Sequence, residues 1–112
     1  MSQAPEPNAG RHDEIAMVIG VLQIELSIEG ARSLKDKRRV VSSLTDRLHR
    51  QHQVSVAEID ALDNCRVAVL GITMASNSVR HCQSMIDRIL DKVRLQRGYV
   101  LSDHAKEILT GR

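Results

Sequence analysis

Residues 17–44, MVIGVLQIELSIEGARSLKDKRRVVSSL, change from a strand pattern to a helix pattern across one short turn. Over residues 17–28 apolar and polar side chains alternate, which is typical of a strand with one buried face. From Val40 to Leu48 apolar residues recur at three- and four-residue spacing, which is typical of a helix with one buried stripe. The stretch therefore predicts a strand, a turn and a helix.

The predicted helix begins with positive charge, which the helix dipole disfavours at this end. Ser33 and Asp36 have the spacing of a capping box, so the helix start is well placed. Four cations follow within or just after the first turn: Lys35, Lys37, Arg38 and Arg39. Free N–H groups and the positive end of the helix dipole disfavour cations there but attract anions. These four residues are candidate contacts for phosphate, with RNA as the expected source, and the alternative is an ordinary solvated face.

Lys37 breaks the helical pattern because it falls in the middle of the apolar stripe that Val40 and Leu44 continue. One interpretation is a snorkelling side chain, whose stem is buried while its ammonium group reaches water. The other is an inward ion pair with a carboxylate such as Glu58 or Glu25.

The rest of the chain predicts two strands, a second helix and a last strand. Residues 54–59 are partly β-branched, and residues 66–75 are apolar on both faces, as in a central strand. Asn77 or Ser78 is placed to cap the second helix, and residues 99–109 supply a weaker final strand.

This order predicts an α+β fold, the ferredoxin-like plait, with the order βαββαβ. Right-handed crossovers then give a four-stranded antiparallel sheet with both helices on one face. Residues 1–14 contain both prolines and few apolar side chains, so they are expected to form a disordered tail. Residues 15–112 are expected to form one domain.

The two predicted helices carry the positive charge of the chain. Residues 33–52 hold six Lys or Arg against two Asp, which gives +4, and residues 77–97 hold five against two, which gives +3. Because the whole chain is only +2, the remainder sums to −5. With both helices on one face, an anionic partner is expected on that side.

Aromatic residues are almost absent, since Tyr99 is the single one. The RNA-recognition motif shares the plait fold but stacks bases on aromatic side chains of its sheet, so that mode of binding is excluded. Ile19, Val21, Val67 and Val69 are expected on the open face of the sheet. An apolar face of this kind predicts a homodimer that forms through the sheet.

Catalytic patterns are missing from the sequence. It contains neither a glycine-rich nucleotide loop nor a motif that places a nucleophile. His49 and His52 have helical spacing but lack a third metal ligand, so both are expected on the surface. Cys65 and Cys82 lack C-x-x-C spacing, which favours a reduced, cytoplasmic protein with Cys82 buried in the second helix. No catalytic residue, cofactor or metal ligand is therefore predicted, and the chain is not expected to be an enzyme.

The helix start SLKDKR at residues 33–38 and the strand VSVAEID at residues 54–60 resemble the YlxP-like family of small bacterial proteins. An SLK-x-KR helix start and a VSVAE strand recur in that family, and the similarity spans residues 17–109. The resemblance implies a ferredoxin-like fold and a bacterial cytoplasmic protein without an established activity, whose gene neighbours often serve translation initiation and ribosome maturation. Many relatives carry a Trp-Gln pair before the arginine that matches Arg66, where this chain has Asp63-Asn64-Cys65.

The expected function is a non-enzymatic binding module that associates with RNA or a ribosomal particle through its basic helices. The alternative is a dimeric scaffold or a small-ligand-binding regulatory domain of the same fold, with the ligand at the subunit interface. An enzyme such as a nuclease ranks third. The first two differ in salt dependence, because phosphate binding weakens steeply with salt and apolar subunit pairing does not.

Overall fold

The structure is a computed structural model, which describes residues 17–111. Its elements follow the predicted order: β1 (Met17–Ser27), α1 (Leu34–Gln51), β2 (Ser55–Asp60), β3 (Val67–Ser76), α2 (Val79–Leu95) and β4 (Val100–Gly111). The predicted tail at residues 1–14 lies outside the described residues.

The four strands form one sheet in the order β2-β3-β1-β4, and every neighbouring pair is antiparallel. The two helices follow β1 and β3, the two central strands. This arrangement confirms the ferredoxin-like α+β plait.

The core lies between the sheet and the two helices and is filled by aliphatic side chains. Leu22, Ile24 and Leu26 of β1 are fully buried and pack with Leu48 of α1 and Ile89 of α2 in one cluster. Burial of a side chain of this size contributes roughly 1.5–3 kcal/mol, so these contacts suffice without aromatic rings. Cys82 is fully buried in the same cluster, as predicted.

Both helices begin at a serine cap. Ser33 Oγ accepts a hydrogen bond from the backbone N–H of Asp36 at 3.1 Å, and Ser78 Oγ accepts one from the N–H of His81 at 3.1 Å. Asp36 Oδ2 in turn accepts from the N–H of Arg32 at 2.8 Å. Of the two predicted caps for α2, Ser78 is therefore the one used. At α1 the predicted Ser33 cap is confirmed, but the return bond to Asp36 comes from Arg32 and not from Ser33 as in a capping box.

The end of α2 is closed by the turn into β4. Gly98 has a φ of +102°, a conformation that favours glycine. The Tyr99 hydroxyl donates to the carbonyl of Val93 at 2.6 Å and so satisfies one of the last helical acceptors. Burial raises the pKa of Tyr99 to about 12. The one aromatic side chain is thus used to close the helix and is not presented as a stacking surface.

Candidate functional site

Lys37 is buried and its ammonium group is surrounded by acceptors. The side chain is 1% exposed, and Nζ lies 2.6 Å from Glu58 Oε2. Nζ also lies 2.9 Å from the carbonyl oxygen of Ala61, 3.1 Å from that of Val67 and 3.4 Å from that of Leu62. We call these groups the Lys37 cage. Three N–H donors face four acceptors, so the buried charge is fully satisfied.

The cage decides between the two interpretations of Lys37. The inward ion pair is confirmed with Glu58, and the snorkelling alternative is wrong. Glu58 points toward the helices because it pairs across the sheet with Leu70, which is fully buried. Lys37 is also removed from the candidate phosphate contacts, since its ammonium group is buried and already bonded. Its position in the apolar stripe, which the sequence showed, was the signal of this inward role.

The cage ties α1 to the loop between β2 and β3. Ala61 has a φ of +55°, a left-handed conformation that is uncommon for a residue with a side chain. Its N–H donates to Asp60 Oδ1 at 2.7 Å, and its carbonyl accepts from Lys37. Hydrogen bonds on both sides of the residue therefore hold this strained turn in place.

Three of the predicted phosphate contacts remain on the surface: Lys35, Arg38 and Arg39. We call them the α1 corner. Within residues 17–111 none of the three forms an ion pair. Asp36, the one acidic residue of the first turn, is bound to the N–H of Arg32. The corner therefore presents uncompensated positive charge to solvent.

Both carboxylates of α2 are paired with cations. Arg94 lies 3.7 Å from Asp91 on the same helix, and Lys106 of β4 lies 3.4 Å from Asp87. All four side chains are exposed, so each pair contributes little to stability. The Asp91 pair offsets one cation of α2, whereas Lys106 is itself a cation, so the α1 corner differs from α2 in that none of its three cations is paired within residues 17–111.

His52 corrects a second expectation. It lies directly after α1, but its side chain is buried against α2, whereas His49 is exposed as expected. Its Nε2 lies 2.9 Å from Lys92 Nζ. Burial and, to a smaller extent, the charges of Lys92 and Arg88 lower the pKa of His52 from its ordinary value of 6.5. A neutral ring that accepts a hydrogen bond from Lys92 fits this environment.

The side of the sheet away from the helices is here called the open face. Ile19 and Val21 lie on it because they alternate with fully buried residues of β1. Val67 and Val69 lie on it because they pair with Ser27 and Glu25 of the same side. The predicted placement is confirmed for all four. Val69, however, is only 7% exposed, so it offers little surface for contact.

Carboxylates on the open face were not foreseen from the sequence. Glu25 lies directly opposite Asp103 in the β1–β4 pairing, and Glu107 lies opposite Val21. Side chains of paired residues share a face, so all three carboxylates are on the open face, and Asp60, which pairs with Val69, adds a fourth. The register of strand pairing brings these carboxylates onto one face, and no short sequence motif predicts that arrangement.

Two kinds of feature are not found over residues 17–111. No helix there has the length and apolar character needed to cross a membrane. In the same range, no three His, Cys, Asp or Glu side chains are grouped so that they could hold a metal ion.

The fold and these surfaces define a small α+β plait domain with an exposed basic corner on its first helix and a sheet face that carries carboxylates. The chain belongs to the family described as "Protein of unknown function (DUF503)", which matches residues 19–105. No curated protein sequence matches it.

Comparison with solved structures gives two matches to report. The de novo designed protein Foldit4 has 17% identity, covers 86% of this chain and 99% of its own, and has a TM-score of 0.51. At 17% identity, the similarity to Foldit4 supports the fold and says nothing of function. A C-terminal segment of the alpha subunit of aIF2 from Pyrococcus abyssi has 11% identity, covers 92% of this chain and 55% of its own, and has a TM-score of 0.47.

Proposed function

We propose that the chain is a non-enzymatic RNA-binding accessory protein that associates with ribosomal particles through the α1 corner. The observation that carries this proposal is the exposure of Lys35, Arg38 and Arg39 at the positive end of a helix, without an ion pair among residues 17–111. Such an arrangement is unfavourable in the free protein and becomes favourable when an anion binds.

Phosphate groups are the anions that this corner suits. The guanidinium groups of Arg38 and Arg39 match the geometry of phosphate oxygens, and Lys35 adds a point charge. The chain has no aromatic platform, because Tyr99 closes α2 through its hydroxyl. The proposed binding therefore reads the RNA backbone and not the bases, and its affinity is expected to depend strongly on salt.

The resemblance of residues 33–38 and 54–60 to the YlxP-like family supports a role in translation or ribosome maturation. The YlxP-like proteins are a narrower group than the family to which this chain belongs. We therefore propose, on the resemblance, both a role in translation or ribosome maturation and a location in the bacterial cytoplasm.

A dimeric scaffold or small-ligand-binding regulatory domain is the second candidate. It is favoured by the apolar side chains of Ile19, Val21 and Val67, which share the open face. In this case the sheet, and not the α1 corner, would form the functional surface. Association through it would change little with salt.

The test is a variant in which all three residues of the α1 corner are replaced by Gln. Binding to purified ribosomal subunits and to ribosomal RNA fragments is measured by co-sedimentation across a salt series. The variant is expected to bind more weakly, and its plot of log affinity against log salt is expected to be flatter by roughly 0.7 to 0.9 for each phosphate that it no longer neutralises.

The matched control replaces three exposed cations of the second basic segment, Arg80, Arg94 and Arg97, by Gln. It has the same net charge as the test variant but keeps the α1 corner. If both variants lose affinity equally, the corner is not a site and only total charge matters. If neither loses affinity, the scaffold function takes the place of RNA binding.

A further inference from the structure

The open face carries most of the exposed large apolar side chains of residues 17–111. Four of the six such residues lie on it: Met17, Ile59, Val100 and Leu109. The position of Ile59 follows from Gly71, since a Cβ built there would lie 3.2 Å from Ile59 Cγ2 on this face. Apolar side chains gathered on one face of a soluble domain mark an interaction surface.

One end of the open face is concave. A depression of about 480 Å³ lies beside Met17, Ile19, Thr73 and Ala75, where β1 and β3 pair. A depression of this kind can receive an apolar anchor side chain from a partner. The residues of the described range 17–111 that line this depression are all uncharged.

Within residues 17–111 the same face is negative, and its strands place no Lys or Arg on it. Glu25 and Asp103 are directly opposite on neighbouring strands, and two like charges in that position destabilise a sheet. β1, β2 and β3 contain no Lys or Arg. Lys106, the one cation of β4, points to the helical side, where it lies 3.4 Å from Asp87.

We propose that the open face binds an amphipathic helix of a partner protein, with an apolar stripe flanked by Lys or Arg. A helix is the natural cover for a sheet whose other side already packs against helices. Its apolar stripe would lie on the Ile19 end, and its cations would neutralise Glu25, Asp103 and Glu107. This goes beyond RNA binding, because the α1 corner does not belong to this face.

Charge distinguishes this occupant from a second copy of the chain. When two open faces meet, the four carboxylates of each copy face those of the other, and strands β1 to β4 supply no Lys or Arg on that side. The apolar residues of the open face suit both a second copy of the chain and an amphipathic helix. The carboxylates favour the cationic one, and they also disfavour RNA on this face.

The test uses two helical peptides of about 18 residues, roughly five turns. Both share a leucine stripe, and their remaining positions are Lys in one and Glu in the other. Binding to the full chain is followed by fluorescence anisotropy, and the contact surface by amide chemical shifts. The Lys peptide is expected to bind and to shift β1 and β4, whereas the Glu peptide is not.

The variant Glu25→Gln, Asp103→Asn, Glu107→Gln removes three of the four carboxylates. It is expected to weaken binding of the Lys peptide about tenfold, since each exposed pair contributes modestly. The matched control, Asp46→Asn, Asp87→Asn, Asp91→Asn, removes three exposed carboxylates that lie on the helices and is expected to bind as the parent does. Ribosomal RNA binding is expected to be the same in both variants.

Three results would overturn this proposal. The first is equal binding of the Lys and Glu peptides, and the second is an equal loss of affinity in the two variants. The third is a parent protein that sediments as a dimer and dimerises more tightly when the three carboxylates are removed, which would assign the open face to a second copy. None of these results bears on the α1 corner, so the proposed function is tested separately.

Discussion

Replacing Lys37 with Met removes the ammonium group of the Lys37 cage but keeps an unbranched side chain of similar length. The carbonyl of Val67, at 3.1 Å from Nζ, loses this donor, and a buried acceptor left unpaired costs about 1 kcal/mol, whereas the carbonyl of Ala61, at 2.9 Å from Nζ, still accepts from the N–H of Asn64. Glu58 is 20% exposed, so water can reach its carboxylate and the cost there is limited to about 1 kcal/mol, below that of a fully buried pair. The expected loss in the free energy of unfolding is therefore about 2 kcal/mol.

Urea denaturation followed by circular dichroism measures this loss directly. Lys35→Met is the matched control, because Lys35 is exposed on the same helix, and its effect is expected to stay within about 0.5 kcal/mol. Hydrogen exchange of residues 60–66 adds a local measurement, since the loop loses its attachment to α1. If Lys37→Met destabilises the protein no more than Lys35→Met does, the cage contributes nothing to stability and the expected loss is refuted.

A double-mutant cycle separates the ion pair from the carbonyl contacts. Lys37→Met combined with Glu58→Gln is expected to be more stable than Lys37→Met alone, because no unpaired carboxylate remains beside the core. The difference is expected to be about 1 kcal/mol. A double variant that is less stable than Lys37→Met would show that the carboxylate is satisfied without Lys37.

Three other changes have expected outcomes. Replacing all three residues of the α1 corner by Gln is expected to stabilise the free protein by about 1–2 kcal/mol at low salt, since each cation is unfavourable at the helix start; unchanged or lower stability in denaturation would contradict this. Folding lowers the pKa of His52, so below pH 6.5 the unfolded chain binds more protons than the folded one. The free energy of unfolding is therefore expected to fall as the pH drops below 6.5 and to level off below the folded pKa. His52→Gln is expected to remove this dependence in denaturation curves measured from neutral to acid pH. Gly98→Ala places a side chain at a φ of +102° and is expected to lower the free energy of unfolding by about 1 kcal/mol. Gly30→Ala is the control in the same assay, because a Cβ at Gly30 meets no atom within 4 Å and Gly30 has no left-handed φ.

The sequence alone determined the order of the elements, the aliphatic core and the start of each helix. These features depend on neighbours a few residues apart: the alternation in β1, the stripe of α1, and the Ser33–Asp36 spacing. The place of Lys37 on the apolar stripe was visible for the same reason, but the sequence left open whether its side chain snorkels or forms an inward ion pair.

Only the tertiary structure decided what Lys37, His52 and Glu25 touch. Lys37 bonds to carbonyls 24 and 30 residues away, and His52 meets Lys92 at a separation of 40 residues. Glu25 meets Asp103 only because β1 and β4 pair in one register, which changes just beyond that pair, between Glu25 and Leu26. Such contacts depend on strand register and helix packing, which local sequence periodicity does not specify. The sequence therefore identified the exposed cations of the α1 corner, whereas the removal of Lys37 from that set and the negative charge of the open face became apparent only in the folded chain.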